Sequence, residues 1–397
     1  MIYGYIKNKP EVNIDVDING ITVASGATSD VSLNLIDQDS NPVPFTQTGD
    51  DLEVNIPVIQ SGWNRPAEWL PIPFIGSDEA VLYILVAVFP NQPNVVAFTA
   101  SVSGGVNIDW GDGTSYSGAN INHEHAFNYN DLDPLTEYNG YRQALIKISG
   151  VNPANQWGTL DFIIGSTTYP SVKSFNFLDV VIGCKSVGTI VTNHRFGSGV
   201  INYPMLQRIK YANSFNFYYL SNWLTEVRRL EKLEIPAGTY QKYMYQAFMR
   251  CGLKQLPEGV VFKDDYAYQT FDNSLLEEVT HDFSTSSSTM YIPFNNTVSR
   301  RIICLSLDAS TSTQSLGTLT SATIQHLELH GYTRGHSLNG NSMYGVDTWT
   351  AWVDSLGTSA DALQNITIST AQYNSFGGLG SYVDDEIFNK GYNLIVV

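Results

Sequence analysis

At 397 residues the chain exceeds the size at which a single hydrophobic core keeps growing, so two or three domains are expected. Only 15% of residues are charged, against roughly a quarter in an ordinary soluble domain, and Ser, Thr, Asn, Gly and 23 Tyr carry the polar balance. The 38 acidic residues against 21 Lys and Arg leave a net charge of -17, which repels phosphate backbones and anionic membranes and argues against nucleic acid as a partner.

The opening residues, MIYGYIKNKPEV, carry no apolar core segment and no small-residue cleavage site, so no secretory signal is expected and synthesis in a cytoplasm is. Val12 to Ile18 alternates apolar and polar residues and turns at Asn19-Gly20 into Ile21-Thr22-Val23, a period-2 strand with a hairpin signal. Val31 to Leu35 and Leu52 to Ile56 repeat the alternation, giving a small β unit over 1–60 that is marginal alone and suited to docking on a partner. Trp63, Pro66, Trp69, Pro71 and Pro73 then read as a semi-rigid linker over 61–79.

Between 80 and 152 the strands Val81 to Phe89, Val95 to Val102, Val106 to Trp110 and Ala144 to Ile148 are separated by turn clusters, which predicts a β-sandwich. The longest apolar run, Ala80 to Pro90, has strand length and falls short of a membrane helix, so no membrane insertion is expected. From 153 to 397 a short strand with alternating apolar residues recurs, at Val172 to Phe177, Leu206 to Ile209, Leu230 to Pro236, Leu253 to Pro257, Leu276 to Val279, Ile302 to Leu307, Ile324 to Leu329 and Leu363 to Ile368. The starting positions step by 34, 24, 23, 23, 26, 22 and 39 residues, the spacing of one β-turn-helix coil per repeat with insertions at the long steps. The end, Tyr382 to Val397, reads as a short helix with acidic residues in its first turn, a Lys390-Gly391 stop and a closing strand that caps the array.

Candidates for chemistry resolve into structural readings. Cys184, Cys251 and Cys304 are far apart and show no metal-ligand spacing, and are read as buried apolar residues. In His123-Glu124-His125 the strand alternation puts both histidines on one side and Glu124 on the other. His326 and His330 fall on and just after a strand, where the helical zinc spacing does not apply. Asp264-Asp265 and Asp384-Asp385-Glu386 are adjacent in sequence and not set across a cleft, as paired glycosidase carboxylates must be. The expectation is a non-enzymatic protein with no cofactor and no metal.

The sharpest local signal is Asp109-Trp110-Gly111-Asp112-Gly113-Thr114, followed by His125-Ala126-Phe127. Trp110 fills a core, Gly111 and Gly113 supply positive φ, and Asp112 accepts N–H groups in the turn. Over Val81 to Ile148 this resembles PKD-type domains, immunoglobulin-like sandwiches with a WGDGT turn and a following His-x-Tyr/Phe, here with Phe127. The resemblance implies a spacer or adhesive module. Leu230 to Pro236, the Ala247-Phe248 to Leu256-Pro257 segment and Asn389-Lys390-Gly391-Tyr392 resemble BspA-type leucine-rich repeats of bacterial surface proteins and phage tail proteins. The expected fold is therefore mainly β: a small N-terminal unit, an Ig-like sandwich and a leucine-rich-repeat-like solenoid.

Binding residues are sought in the Gly-rich insertion near 331–347, where Tyr332, Arg334, His336, Asn339, Asn341 and Tyr344 offer aromatic and amide groups, while Trp349 and Trp352 are read as helix residues packed on the core. Together these features resemble a bacteriophage virion component, a fibre, spike or decoration protein. That resemblance implies contacts with other virion proteins through the N-terminal unit, a host-surface glycan or protein as target, and a homo-oligomer. A bacterial cell-surface adhesin or glycan-binding protein is the alternative.

Overall fold

The structure is a computed structural model. It describes Asp17–Ile18, Ile21–Thr22, Phe45–Thr48 and Asp51–Val54, and from Trp63 onward all residues except 120–121, 153–156, 163–167, 169–171, 173, 186–193, 197–200, 214, 216, 267, 283–297, 306–323, 333–335, 340, 344–345 and 358–363. Two compact units divide the chain, Met1–Asn64 and Arg65–Val397.

In the first unit β1 (Asp17–Ile18) and β2 (Ile21–Thr22) pair antiparallel with Ile18 opposite Ile21, where the Asn-Gly signal predicts a hairpin. A second antiparallel pair joins β3 (Phe45–Thr48) to β4 (Asp51–Val54). The expected strand Val31 to Leu35 lies outside the described residues.

The second unit is mainly β. Its first strands are β5 (Val81–Val88), β6 (Asn94–Val102), β7 (Val106–Asp109), β8 (Ser115–Gly118), β9 (Asn122–Phe127), β10 (Arg142–Gly150), β11 (Trp157–Asp161), β12 (Phe177–Ile182) and β13 (His194–Arg195). They continue as β14 (Arg208–Tyr211), β15 (Lys232–Glu234), β16 (Gly238–Tyr243), β17 (Val260–Tyr266), β18 (Glu278–Asp282), β19 (Arg301–Leu305), β20 (His326–Leu329) and β21 (His336–Ser337). The end of the chain contributes α1 (Val346–Ser355), β22 (Gln364–Ile368), α2 (Thr370–Ser375), α3 (Tyr382–Asn389) and β23 (Tyr392–Val396).

Two sheets occupy the N-terminal part, one of seven strands in the order β15-β14-β12-β5-β10-β7-β8 and one of four in the order β13-β11-β6-β9. Every residue of β5 is buried, because the strand is covered on both faces; a continuous run of Val, Leu and Ile is the sequence form of such a strand. β7, near the edge, keeps the alternation, with Val106 and Ile108 inside and Asn107 and Asp109 outside.

The seven-stranded sheet crosses the boundary expected at 152/153. β5 pairs antiparallel with β10 and with β12, and β12, β14 and β15 then run parallel. One contiguous apolar core extends from Ala80 to Tyr392, so the strands before and after the expected boundary are not packed as separate bodies. Strand β12 also lies later than the expected Val172 to Phe177, because Phe177 to Ile182 can be buried on both faces between β5 and β14.

From Arg65 on, part of the segment expected to form a linker is instead packed against this sheet, with Trp69 and Ile75 buried and Phe74 exposed. Trp69 is buried and its indole N–H donates to the Tyr141 hydroxyl at 3.2 Å, while the Leu70 N–H donates to Gln143 Oε1 at 2.8 Å. Prolines keep the segment out of the sheets, yet its aromatic and aliphatic area still gains by burial. The segment starts with Arg65, whose Nε donates to Asp179 at 2.8 Å. Asp179 is fully buried on β12 and takes two further bonds from Arg208 on β14, at 2.9 and 2.8 Å.

Parallel pairing recurs along the periodic part, a ladder broken into three sheets, in which β16 and β17 fall between the expected strand cores. The N–H of Gln207 donates to the Leu178 carbonyl, Glu231 to Gln207, Glu277 to Lys254, Arg300 to Glu277 and Gln325 to Arg300, so these units meet their predecessors one repeat earlier. Leu253 to Pro257 contributes a single bridge, Gln255 to Glu278. The return side departs from the helical expectation: among the described residues between β14 and β20 there is no helix, and tight turns connect the strands. At the end, α3 has Asp384 and Asp385 in its first turn, Gly391 at φ 79° and β23 following, as the cap reading expects.

Candidate functional site

The Trp110 to Thr114 turn is a closed knot. The Trp110 N–H donates to the Thr114 carbonyl at 3.1 Å, and Asp112 Oδ1 accepts the Thr114 N–H and hydroxyl at 2.9 and 2.6 Å. His125 Nε2 lies 2.6 Å from Asp112 Oδ2, with its ring stacked on Trp110 at 4.6 Å and meeting Phe127 edge-on at 4.7 Å. Burial alone would raise the Asp112 pKa, but hydrogen bonds from Thr114 and His125 prevail and hold it below its ordinary value. Gly111, at φ 77°, sits where a Cβ would come within 2.5 Å of the Leu145 carbonyl oxygen. Both Asp112 carboxylate oxygens are engaged within this knot, which makes it a structural device. His123 turns inward beside Phe98 and Tyr116, and burial pushes its pKa down, while Glu124 on the opposite face meets Thr168.

Two of the residues expected to bind from the insertion near 331–347, Tyr332 and Asn341, are buried. Tyr332 is 3% exposed and its carbonyl accepts the Tyr392 hydroxyl at 2.8 Å; Asn341 is 1% exposed and its Oδ1 accepts the Gln372 amide at 2.6 Å. The segment folds back onto the core, because its polar groups are needed to satisfy the turns that join β20 to α1 and α2. His336 is half-buried with its ring against Tyr332 and Trp352, and Asn339 is exposed. Arg334 and Tyr344 lie outside the described residues. Trp349 and Trp352 are fully buried on α1, in agreement with their helical reading.

A surface that the sequence reading passed over lies on three stacked turns between β14 and β18. Backbone N–H groups of Leu220, Asn222, Leu224 and Glu226 donate to the carbonyls of Tyr243, Tyr245, Ala247 and Met249, and those of Gln246, Phe248 and Arg250 donate to Tyr268, Thr270 and Asp272. Two residues per turn take the left-handed conformation, Asn222 and Glu226, then Gln246 and Arg250, then Gln269 and Asn273, with φ from 50° to 64°. Three residues separate the members of each pair, and apolar residues among them point inward, with Phe248 stacked on Phe271 at 5.5 Å. Equivalent side chains therefore stack into columns across the coils.

One end of these turns carries aromatics and amides. Tyr245 stacks on Tyr268 at 5.0 Å with an interplanar angle of 11°, and the Gln246 amide donates to Gln269 Oε1 at 2.7 Å. Tyr219 packs against Tyr243 at 5.7 Å and against Tyr218 at 5.0 Å. All of these side chains are half-buried.

The other end carries charge. Glu226 Oε2 accepts Arg228 Nε and Nη2 at 2.9 and 2.6 Å, and its Oε1 accepts Arg250 Nη1 at 2.6 Å. Burial alone would raise the Glu226 pKa, yet hydrogen bonds from Arg250 and Arg228 hold it below the ordinary value. A pocket of about 390 Å³ opens beside these groups, lined by Arg228, Arg250, Cys251, Gly252, Asn273 and Leu275. The signal available in the sequence was Asn222-x-x-x-Glu226, Gln246-x-x-x-Arg250 and Gln269-x-x-x-Asn273, recurring at the repeat step.

The ladder's outer face holds a second cluster. Glu328 accepts from His326 Nε2 at 2.7 Å and His330 Nε2 at 2.8 Å, with Arg301 at 3.6 Å. The two histidine Cα atoms are about 13 Å apart at ~3.3 Å per strand residue, which suits two rings reaching inward to one carboxylate better than two nitrogens converging on one ion. Among the described residues no group of three or more His, Cys, Asp or Glu is placed to hold a metal ion, and no helix is long and apolar enough to cross a membrane. Cys184, Cys251 and Cys304 are buried and unbridged. No family model, curated protein or solved structure matches this chain.

Proposed function

We propose that this chain is a recognition protein of a bacteriophage particle, a fibre, spike or decoration protein that attaches to a host-surface glycan or protein. In this reading Val81 to Ile148 is a PKD-like, Ig-fold spacer, the parallel ladder is a leucine-rich-repeat-like solenoid, and the N-terminal unit docks on other virion proteins in a homo-oligomer. The observation that carries it is the column of half-buried Tyr245, Tyr268, Gln246 and Gln269 on stacked turns. Tyrosine supplies rigid amphipathic contact area at small entropic cost, and amides supply adaptable hydrogen bonding, the combination found on recognition surfaces. Their mounting on hydrogen-bonded coils fixes the spacing in advance, which favours affinity by reducing the ordering required on binding.

Two measurements test the reading. Mass spectrometry of purified particles is expected to find the chain in stoichiometric amounts, and the isolated protein is expected to bind host cells. A chain absent from particles but present on bacterial envelopes would replace the virion reading with that of a cell-surface adhesin.

A further inference from the structure

The pocket beside Glu226 has a chemistry distinct from the tyrosine columns. Two cations, Arg228 and Arg250, face two anions, Glu226 and Asp272, the latter close enough to raise the Arg250 pKa after the larger effect of Glu226. The group is therefore balanced in charge within a protein of net charge -17. Glu226 fixes both guanidiniums while engaging only some of their donors: Arg228 keeps Nη1, and Arg250 keeps Nε and Nη2. The Asn273 amide nitrogen is committed to Asp272 at 2.7 Å, which turns Asn273 Oδ1 into the available acceptor. Leu275, 43% exposed, adds an apolar patch, and fully buried Cys251 closes the floor.

Resting on the attachment reading above, we infer that this pocket binds a neutral pyranose of a surface glycan. Fixed guanidinium donors beside the Asn273 amide acceptor match neighbouring sugar hydroxyls, which both donate and accept, and Leu275 receives the C–H face. An anionic sugar gains little here, because Glu226 and Asp272 already neutralise the arginines. The volume falls in the range of small-molecule sites, roughly 300–1,000 Å³.

The test uses the full chain, with maltohexaose and cellohexaose as neutral probes and hexagalacturonate as the acidic one, followed through the Arg side-chain Nε–H resonances in NMR titrations. Neutral probes are expected to shift the Arg228 and Arg250 signals, with an affinity that changes less than twofold between 50 and 500 mM NaCl. Arg250→Lys, which keeps the charge and loses the planar donor fork, is expected to weaken binding at least tenfold, whereas Leu135→Ala, at an exposed residue away from the turns, leaves it within twofold. Binding of hexagalacturonate alone, an affinity that collapses with salt, an unaffected Arg250→Lys variant, or no shift with any probe would each overturn the assignment. Host-cell binding by the Arg250→Lys variant separates the two readings: if it equals wild type, the pocket assignment falls and attachment stands. If the wild-type chain shifts with maltohexaose but binds no host cell, the attachment reading falls and the pocket stands.

Discussion

The Arg208 guanidinium grips both carboxylate oxygens of Asp179, through Nε at 2.9 Å and Nη2 at 2.8 Å, at the step where the seven-stranded sheet turns from antiparallel to parallel pairing. Arg65 adds a third donor, and Arg208 reaches on to Glu234 of β15. A carboxylate with no exposed surface is stable there only because it is surrounded by cations. Asp179→Ala takes from Arg208, itself 5% exposed, the carboxylate that its Nε and Nη2 share and is expected to cost about 3–5 kcal/mol in urea unfolding. Replacing the pair together, as Asp179→Leu with Arg208→Met, is expected to cost less than either single change. A double variant weaker than the sum of the singles would contradict this account.

Lys242 predicts a distinct pH dependence. It is 5% exposed, with its ammonium 5.0 Å from the Phe215 ring centroid and 5.4 Å from that of Tyr240, and burial lowers its pKa to about 8. Below pH 8 both states carry the proton and the folded state bears the full cost of a buried charge. As pH rises from about 8 toward 10.5 the folded chain releases a proton that the unfolded chain keeps, so stability increases across that window. The gain is on the order of 3 kcal/mol. Lys242→Met is expected to remove this rise and to be more stable than wild type at pH 7, as read by denaturation from pH 7 to 10.5.

At the Trp110 turn, Gly111→Ala places a Cβ against the Leu145 backbone in a left-handed conformation and is expected to cost more than the ~1 kcal/mol of ordinary Gly-to-Ala strain. Asp112→Ala removes the acceptor for Thr114 and His125 and is expected to cost about 1–3 kcal/mol. Both effects should appear as a lower denaturation midpoint with an unchanged slope.

Asn341 separates a packing role from a binding role. Asn341→Ala deprives the buried Gln372 amide of its 2.6 Å acceptor and is expected to destabilise by about 1–3 kcal/mol while leaving host-cell binding of the folded protein unchanged. Lost binding at full stability would return the insertion to the recognition surface.

Legibility in the sequence followed the range of the interaction. The Trp110 to Phe127 knot was readable because its chemistry is local, and the ladder because its period recurs. The cap was readable too, since the acidic first turn of α3 and the positive φ of Gly391 have direct sequence marks. The joint at Asp179 was not, because its three members are 114 and 29 residues apart and a composition change near 152 suggested a break that packing does not make. Glu226, Gln246, Arg250 and Gln269 adopt left-handed backbones that carry no glycine to announce them. Tyr332 and Asn341 were misplaced because polar residues among glycines resemble an exposed loop until the groups they satisfy are known.

The shared sheet also governs how the molecule meets force and how it is inherited. β5 is held by β10 across eight residue pairs on one side and by β12 on the other, so a tug on the ladder must shear hydrogen bonds along a central strand rather than unzip a tether. For the same reason the parts before and after residue 152 cannot be exchanged between relatives as separate cassettes. A recombination point at residue 152 would cut through one sheet and one core, and viable chimaeras should carry both parts from the same parent.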